Sequence, residues 1–267
     1  MNRILFARTW RAQAGKLVVV LIGLMIWGFL LPVIYSSFGA KFKELAQSGV
    51  LPPQFSEFGG GDVFSLSGAI ALGFVHPISV AMIAVFAVGF AASAVAGERQ
   101  RGTLEVLLAR PVSRRAVYVT LLITTWTFLG VVIAGQIVGS AVGATASGVG
   151  SELAWPNMAL LWVNGMLLYV AFSAIGLAAS VSFDRLTPAL GITLGVLVVQ
   201  YFMDILGSLW PDAKGIQPFS LFHYLKAKEV LTGTLEPGNV VVLLIVTTIA
   251  VVFALVEFPR RDLAAPS

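Results

Sequence analysis

The chain has 267 residues, of which 58% are hydrophobic and 11% charged, with a net charge of +4 at pH 7 and a mean hydropathy of +0.91. Soluble domains carry about 25% charged residues, so this composition excludes an ordinary soluble protein, and its hydrophobicity excludes a disordered one. The absence of cysteine excludes disulfides, zinc–thiolate sites and iron–sulfur clusters. The composition predicts an all-α integral membrane protein.

Six apolar runs are long enough to cross a bilayer as helices of about 20 residues. They cover residues 17–38, 78–97, 117–146, 159–183, 186–209 and 240–257. Residues 1–16 carry their arginines on one side of a helical wheel. This pattern predicts a helix that lies flat on the membrane surface and turns into the first span at Gly15 and Lys16. Residues 63–75 are apolar but too short to cross, which predicts an interfacial or re-entrant helix.

Lysines and arginines in the connections between spans predict the orientation. With a cytoplasmic amino terminus, 12 of the 17 basic residues lie on the inner side, including all the arginines. The other five are lysines in longer outer loops. The distribution predicts a multi-pass protein with both termini in the cytoplasm.

The most charged stretch, residues 98–110, follows the second span on the predicted inner side. As one helix, it would carry its leucines on one side and Glu98, Arg101 and Glu105 on another, at spacings that favour ion pairs. Pro111 ends this helix, and Ser113 can cap the next one. Such a helix suits the membrane surface or a groove on a partner protein. The two glutamates favour a protein partner, because the inner leaflet is anionic.

This stretch resembles the inner loop of the permease subunits of ABC-2-type ATP-binding-cassette transporters. The matching pattern is Glu98-Arg99-x-x-Gly102-Thr103-Leu104-Glu105-x-Leu107-Leu108, followed by Pro111-x-Ser113-Arg114. The six-span layout, the amino-terminal helix and the cytoplasmic termini match the family as well. The resemblance therefore covers the whole chain, although outside this loop it is one of layout.

The resemblance implies that residues 98–110 form a coupling helix seated in a cleft of a separate ATPase subunit. Two permeases, expected to be identical copies, and two ATPases would form an exporter in the plasma (inner) membrane of a prokaryote. ATP and magnesium would bind to the ATPase, and we expect no cofactor, metal or nucleic acid on this chain. The residues expected to carry the coupling are Glu98, Arg99, Arg101, Gly102, Thr103, Leu104, Glu105, Leu107, Leu108, Arg110, Pro111 and Arg114.

An enzyme is the first alternative class. The sequence has no G-x-x-x-x-G-K-[ST] phosphate loop, so we expect the chain not to hydrolyse ATP itself. A metalloprotease needs a histidine cluster, and only His76 and His223 are present. The sequence therefore predicts a protein that is not an enzyme.

A stand-alone secondary carrier or channel-like protein is the second alternative. Such carriers need ionisable groups near the middle of the membrane, and the predicted spans contain few. The polar candidates for a substrate pathway are Gln136, Asn164, Gln200 and Asp204. The amides are more typical of hydrogen bonds between helices, and Asp204 is more typical of a side chain that reaches the outer surface.

Overall fold

The computed structural model describes residues 1–48, 62, 64–109 and 111–261, without the side chains of residues 46 and 107. This part of the chain is helical and contains no strand. Its α-helices are α1 Arg3–Gln47, α2 Leu66–Val75, α3 Pro77–Ser93, α4 Ala96–Gln100, α5 Thr103–Leu108, α6 Arg114–Ala146, α7 Trp155–Ser182, α8 Leu186–Leu209, α9 Ala227–Leu231 and α10 Pro237–Arg260. Short 3-10 helices cover Gly150–Glu152, Pro211–Phe219 and Leu221–Tyr224.

Five of these helices are long and apolar enough to cross a membrane: α1, α6, α7, α8 and α10. The bent pair formed by α2 and α3 makes a sixth span when it is counted as one. The prediction of an all-α polytopic membrane protein is thereby confirmed. Helix α8 has the same bounds as the predicted fifth apolar run. The ends of α6, α7 and α10 differ by only a few residues from those of the third, fourth and sixth runs.

The predicted turn at Gly15 and Lys16 is wrong, because α1 is one helix of 45 residues that continues through both positions. At 1.5 Å per residue it is about 67 Å long, roughly twice the hydrocarbon thickness of a bilayer. Contacts with α6 explain why the helix continues past these positions. The ring of Trp10 lies 5.1 Å from that of Phe128, and the Asn2 amide donates to Thr120 Oγ1 at 2.8 Å.

Helices α1 and α6 pack closely at three glycines, which we call the glycine seam: Gly28, Gly139 and Gly143. A Cβ at Gly139 would overlap the backbone of Met25, and one at Gly143 would overlap the backbone of Phe29. Close approach of two backbones inside a membrane requires small residues at the contact. The seam therefore fixes α1 against α6. Helices α6 and α7 are the two central, mostly buried helices of the bundle.

The pair α2–α3 bends by 47° just before Pro77. Proline has no N–H, so the Gly73 carbonyl four residues earlier has no helical donor. Side chains from two other helices replace it: Gln136 Nε2 donates to this carbonyl at 2.9 Å and Trp27 Nε1 at 3.0 Å. Side chains from α6 and α1 therefore stabilise the bend.

Further hydrogen bonds fix both sides of the bend. Ser79 Oγ donates to Gln136 Oε1 at 2.8 Å, and the Tyr201 hydroxyl donates to the Val75 carbonyl at 2.9 Å. Helix α2 covers residues 66–75 of the predicted helix over residues 63–75, of which residue 63 lies outside the described residues, and most of its residues are buried. It is thus packed among the spans. Within α3, Val85–Phe90 is π-helical.

The two ends of the bundle have different compositions. One end, which we call the amino-terminal face, carries the start of α1, helices α4 and α5, the α7–α8 connection and the end of α10. The other end, which we call the opposite face, carries the end of α1, the start of α2 and the segment between α8 and α10.

The glycine seam makes a prediction about stability. Gly139→Ala should lower the unfolding temperature of the purified protein, because its methyl group would force the backbones apart at a cost of about 1–3 kcal/mol. The matched control is Gly15→Ala, at a helical position with nothing within 4 Å of an added Cβ. Thermal unfolding in detergent measures both. Equal unfolding temperatures for the two variants would contradict the seam.

Candidate functional site

The predicted coupling helix over residues 98–110 is two short helices, α4 and α5, so the prediction of a single helix is wrong. They meet at Gly102, which has φ +70. Thr103 Oγ1 donates to the Glu98 carboxylate at 2.6 Å and also lies 3.1 Å from the Glu98 carbonyl oxygen, and Arg101 pairs with the same carboxylate. A left-handed residue is favourable for glycine, and these contacts hold the chain in the turn.

The Glu98 carboxylate is stabilised in its charged form. Burial by itself would raise the pKa of Glu98, but the hydrogen bonds from Thr103 and Arg101 and the charges of Arg101 and Arg8 outweigh it. The pKa of Glu98 is therefore below its ordinary value. Glu98 contributes to the stability of the turn at neutral pH, and this contribution is lost as the pH falls through the lowered pKa.

Arg99 is buried and pairs with Asp184, with Nη1 at 2.6 Å from Oδ1. Arg261 Nη2 approaches the same oxygen at 2.5 Å, and Arg261 Nη1 donates to the Val181 carbonyl at 2.9 Å. Gln100 Oε1 accepts from the amide of Leu186 at 2.9 Å. Asp184 thus joins α4 to the α7–α8 connection and to the end of α10. We call Arg99, Asp184 and Arg261 the Asp184 cluster.

Arg114 is also engaged within the chain. Its Nη1 lies 3.3 Å from the carbonyls of Phe258 and Pro259 and 2.6 Å from that of Arg261. The last carbonyls of a helix lack helical donors and carry a negative partial charge. Arg114 therefore ties the start of α6 to the end of α10. Ser113 caps α6 as predicted, accepting from the amide of Ala116 at 3.2 Å.

The two leucines of this segment whose side chains are described are not fully exposed. Leu104 is 2% exposed, and Leu108 packs partly against the core. The side chain of Leu107 and the whole of Arg110 lie outside the described residues. Among the described side chains of α5, Thr103, Glu105 and Val106 are exposed, and Val106 is 68% exposed. The amphipathic pattern thus indicates packing within this chain.

A cavity of about 250 Å³ lies between this segment and the start of α1. Its lining is mostly apolar and includes Ile4, Val106, Pro111 and Val112, with Arg8 at its edge. Ile4 is 72% exposed. The predicted site residue Pro111 therefore shapes a groove on the amino-terminal face.

The predicted pathway amides make hydrogen bonds between elements. Gln136 holds the bend, as described above. Asn164 Nδ2 donates to the Leu225 carbonyl, and Gln200 Oε1 accepts from the Leu221 amide at 2.8 Å. The preferred interpretation of these amides as links between helices agrees with these bonds.

Asp204 is in a different situation from the amides. It is 6% exposed, and it lines a cavity of about 550 Å³ on the opposite face. The preferred interpretation, that Asp204 simply reaches the outer surface, is therefore incomplete, because Asp204 is buried and lines a partly open cavity. Among the described residues, no group of three His, Asp or Glu side chains is arranged to hold a metal ion.

A family model described as ABC-2 family transporter protein matches residues 6–263. The chain belongs to the ABC-2 transporter family. A search of curated proteins finds no match to it. ABC-2 permeases are generally non-catalytic membrane subunits that work with an ABC ATPase, which agrees with the multi-pass fold.

The sequence alone did not reveal the Asp184 cluster of this ABC-2 permease. Arg99 and Asp184 are far apart in the chain, and only the packing of α4 against the α7–α8 connection brings them together. The available signal was a charged pair, Asp184 and Arg185, at the end of a span, where charge is costly without a partner.

Asp184→Asn should destabilise the amino-terminal face, because it removes the carboxylate that pairs with both Arg99 and Arg261. The expected loss is about 1–2 kcal/mol, since the carboxylate itself is half exposed. The unfolding temperature in detergent measures it. The control is Glu105→Gln, which removes an exposed carboxylate with no ion-pair partner in the described chain. A similar fall in both variants would argue against the cluster.

Proposed function

We propose that this chain is the permease subunit of an ABC exporter, which forms the substrate pathway and couples it to ATP hydrolysis by a separate ATPase subunit. Family membership supports the permease. The observation that carries the coupling is the pairing of a buried Arg99 in α4 with Asp184, next to an exposed tip at Glu105 and Val106. One part of the segment is thus available to a partner and the other is fixed to the spans.

The tip and the groove beside it are the proposed seat of the ATPase. Val106 and Ile4 expose apolar surface, and Arg101, Glu105 and Arg8 supply charges around it. An apolar centre with a charged rim is typical of protein interfaces. This seat differs from the leucine side that the sequence suggested, because Leu104 is buried within the chain.

The route of coupling runs through the Asp184 cluster. A displacement of α5 would be transmitted through α4 to Asp184, and from there to the start of α8 and the end of α10. Packed elements and charged contacts of this kind carry coupling when they move together. Arg114 extends the route to α6.

We propose that the amino-terminal face is cytoplasmic and that the membrane is the plasma membrane of a prokaryote. The support is the charge distribution, because the arginines of the described chain lie in segments of this face. ATP and magnesium would bind to the ATPase, with no cofactor on this chain. Export is the direction that the resemblance implies.

A second copy of the permease is proposed to pack against α8. Gly191 and Gly195 are exposed on this helix, with nothing within 4 Å of an added Cβ. Glycines spaced by four residues let helices approach closely in membranes. Two permeases and two ATPases would complete the transporter.

The first experiment is a mild-detergent pull-down of the full chain from native membranes, followed by mass spectrometry. We expect a stoichiometric soluble protein with a phosphate-binding loop. Val106→Asp and Glu105→Lys should abolish its co-purification, because they change the exposed tip. Leu235→Asp, an equally polar change on the opposite face, should not.

A stable preparation of the chain without any ATPase would overturn the proposal and favour a stand-alone carrier. Retention of the ATPase at wild-type yield by both tip variants would instead contradict the seat, while leaving the permease intact.

The second copy is tested by disulfide cross-linking, because the chain has no cysteine of its own. Ile192→Cys, next to Gly191, should form a cross-linked dimer in native membranes. Ile249→Cys, equally apolar and exposed on α10, is the control and should stay monomeric. Cross-linking of both to the same extent, or of neither, would contradict a homodimer through α8.

A further inference from the structure

The cavity of about 550 Å³ on the opposite face has a size typical of small-molecule sites, which run from about 300 to 1,000 Å³. It lies between the last turns of α8 and the segment 211–232. Its charged lining includes Asp204, Lys214, Lys226, Lys228 and Glu229. Residues of both signs of charge therefore line one partly open cavity.

Asp204 forms the buried acidic part of this lining. It is 6% exposed, and in the described chain its carboxylate makes no hydrogen bond and no ion pair; its contact with Gln217 is through the backbone carbonyl, at 3.1 Å. A buried carboxylate without donors is costly. Asp204 therefore presents a carboxylate with no donor from the described chain to whatever occupies the cavity.

The three lysines that line the cavity differ in whether a carboxylate of this chain already pairs with them. Lys228 Nζ lies 2.8 Å from Oδ2 of the buried Asp62, and Lys226 Nζ is 3.9 Å from Glu229 Oε1. Lys214 is exposed and has no ion-pair partner among the described residues. Lys226 and Lys214 are thus the cations available to an anionic group of a ligand.

The backbone at Lys226 is strained. It has φ 41, the one positive value at a non-glycine residue in the described chain. Its position is fixed from α7, because Asn164 donates to the carbonyl of the preceding residue, Leu225. Strain of this kind persists where surrounding contacts impose it, and it is frequent at binding sites. A glycine would fit this backbone better, so the lysine side chain is the feature to be explained.

His223 adds no further cation at neutral pH. Burial, together with the charge of Lys226, lowers the pKa of His223 and outweighs the opposite effect of Glu236. The cavity therefore combines one unpaired acid with two available lysines. A free anion would be repelled by Asp204, and a free cation by the lysines.

The position of the cavity at the end of a span indicates the membrane surface. Trp210, directly after α8, is 62% exposed, and Phe219 is 75% exposed. Exposed tryptophan side chains such as Trp210 mark the level of lipid headgroups. Below them, Phe202 and Leu206 expose apolar surface on α8, where acyl chains would lie.

We propose that this cavity binds the zwitterionic headgroup of phosphatidylethanolamine, with the ammonium against Asp204 and the phosphate against Lys226 and Lys214. A primary ammonium donates the hydrogen bonds that the buried carboxylate lacks, which a quaternary choline does not. The inference does not depend on the ATPase partner, because it rests on residues of the opposite face.

The test reconstitutes the full chain in vesicles of equal parts phosphatidylethanolamine, phosphatidylglycerol and phosphatidylcholine. The protein is then extracted in mild detergent, and the retained lipid is counted by mass spectrometry. Wild type should retain phosphatidylethanolamine preferentially. Asp204→Asn should lower this preference about tenfold, the loss expected for one charge-assisted hydrogen bond. Asp212→Asn, a neighbouring carboxylate outside the cavity lining, is the control and should keep the preference.

Lys226→Gly separates binding from folding. This variant should preserve or raise the unfolding temperature, because it relieves the backbone strain. It should nevertheless lose the preferential retention of phosphatidylethanolamine, because the lysine ammonium is absent. Equal retention of the three lipids by wild type, or an unchanged preference in Asp204→Asn, would overturn the proposal.

Soluble glycerophosphoethanolamine distinguishes the two sources of the same headgroup. Failure to displace the lipid supports a membrane-bound occupant. Displacement at low concentration supports the site chemistry but overturns the lipid as its source.

Discussion

The close contact between α1 and α6 is the constraint on which the rest of the molecule depends. At Gly139 and Gly143 the backbone of one helix occupies the space that a Cβ would need on the other. Lipid offers no hydrophobic driving force between helices, so such contact is gained only where side chains are absent. It places Trp27 and Gln136 on adjacent helices, where both reach the Gly73 carbonyl. The bent span is therefore a consequence of the seam.

The two ends of this ABC-2 permease use their charges differently. On the amino-terminal face, the ion pairs of Asp184 with Arg99 and Arg261 hold α4, the start of α8 and the end of α10 together. On the opposite face, Lys228 is neutralised by Asp62, whereas Asp204 faces a cavity without a partner. One end is thus arranged for mechanical connection and the other for a ligand. The proposed roles of the two faces follow from this difference.

Sequence reasoning reached the spans because the length of an apolar run is a local property. It also reached the Ser113 cap, which depends on residues a few positions apart. It did not predict the break at Gly102 or the burial of Leu104. An amphipathic pattern shows which side of a helix is apolar, but not what packs against that side. The continuation of α1 past Gly15 depends on contacts with α6. Long-range packing therefore decided most of the candidate site.

The bend before Pro77 has a consequence for biogenesis. The carbonyl of Val75 bonds to Tyr201, which lies in the fifth span. During synthesis that span enters the bilayer long after α2 and α3, and an unsatisfied carbonyl in hydrocarbon costs several kcal/mol. Until the fifth span is inserted, the Val75 carbonyl of the α2–α3 pair has to be hydrogen-bonded by water or by the insertion machinery. The hydrogen bonding of the amino-terminal half of the permease is thus completed only by Tyr201, a residue of the fifth span.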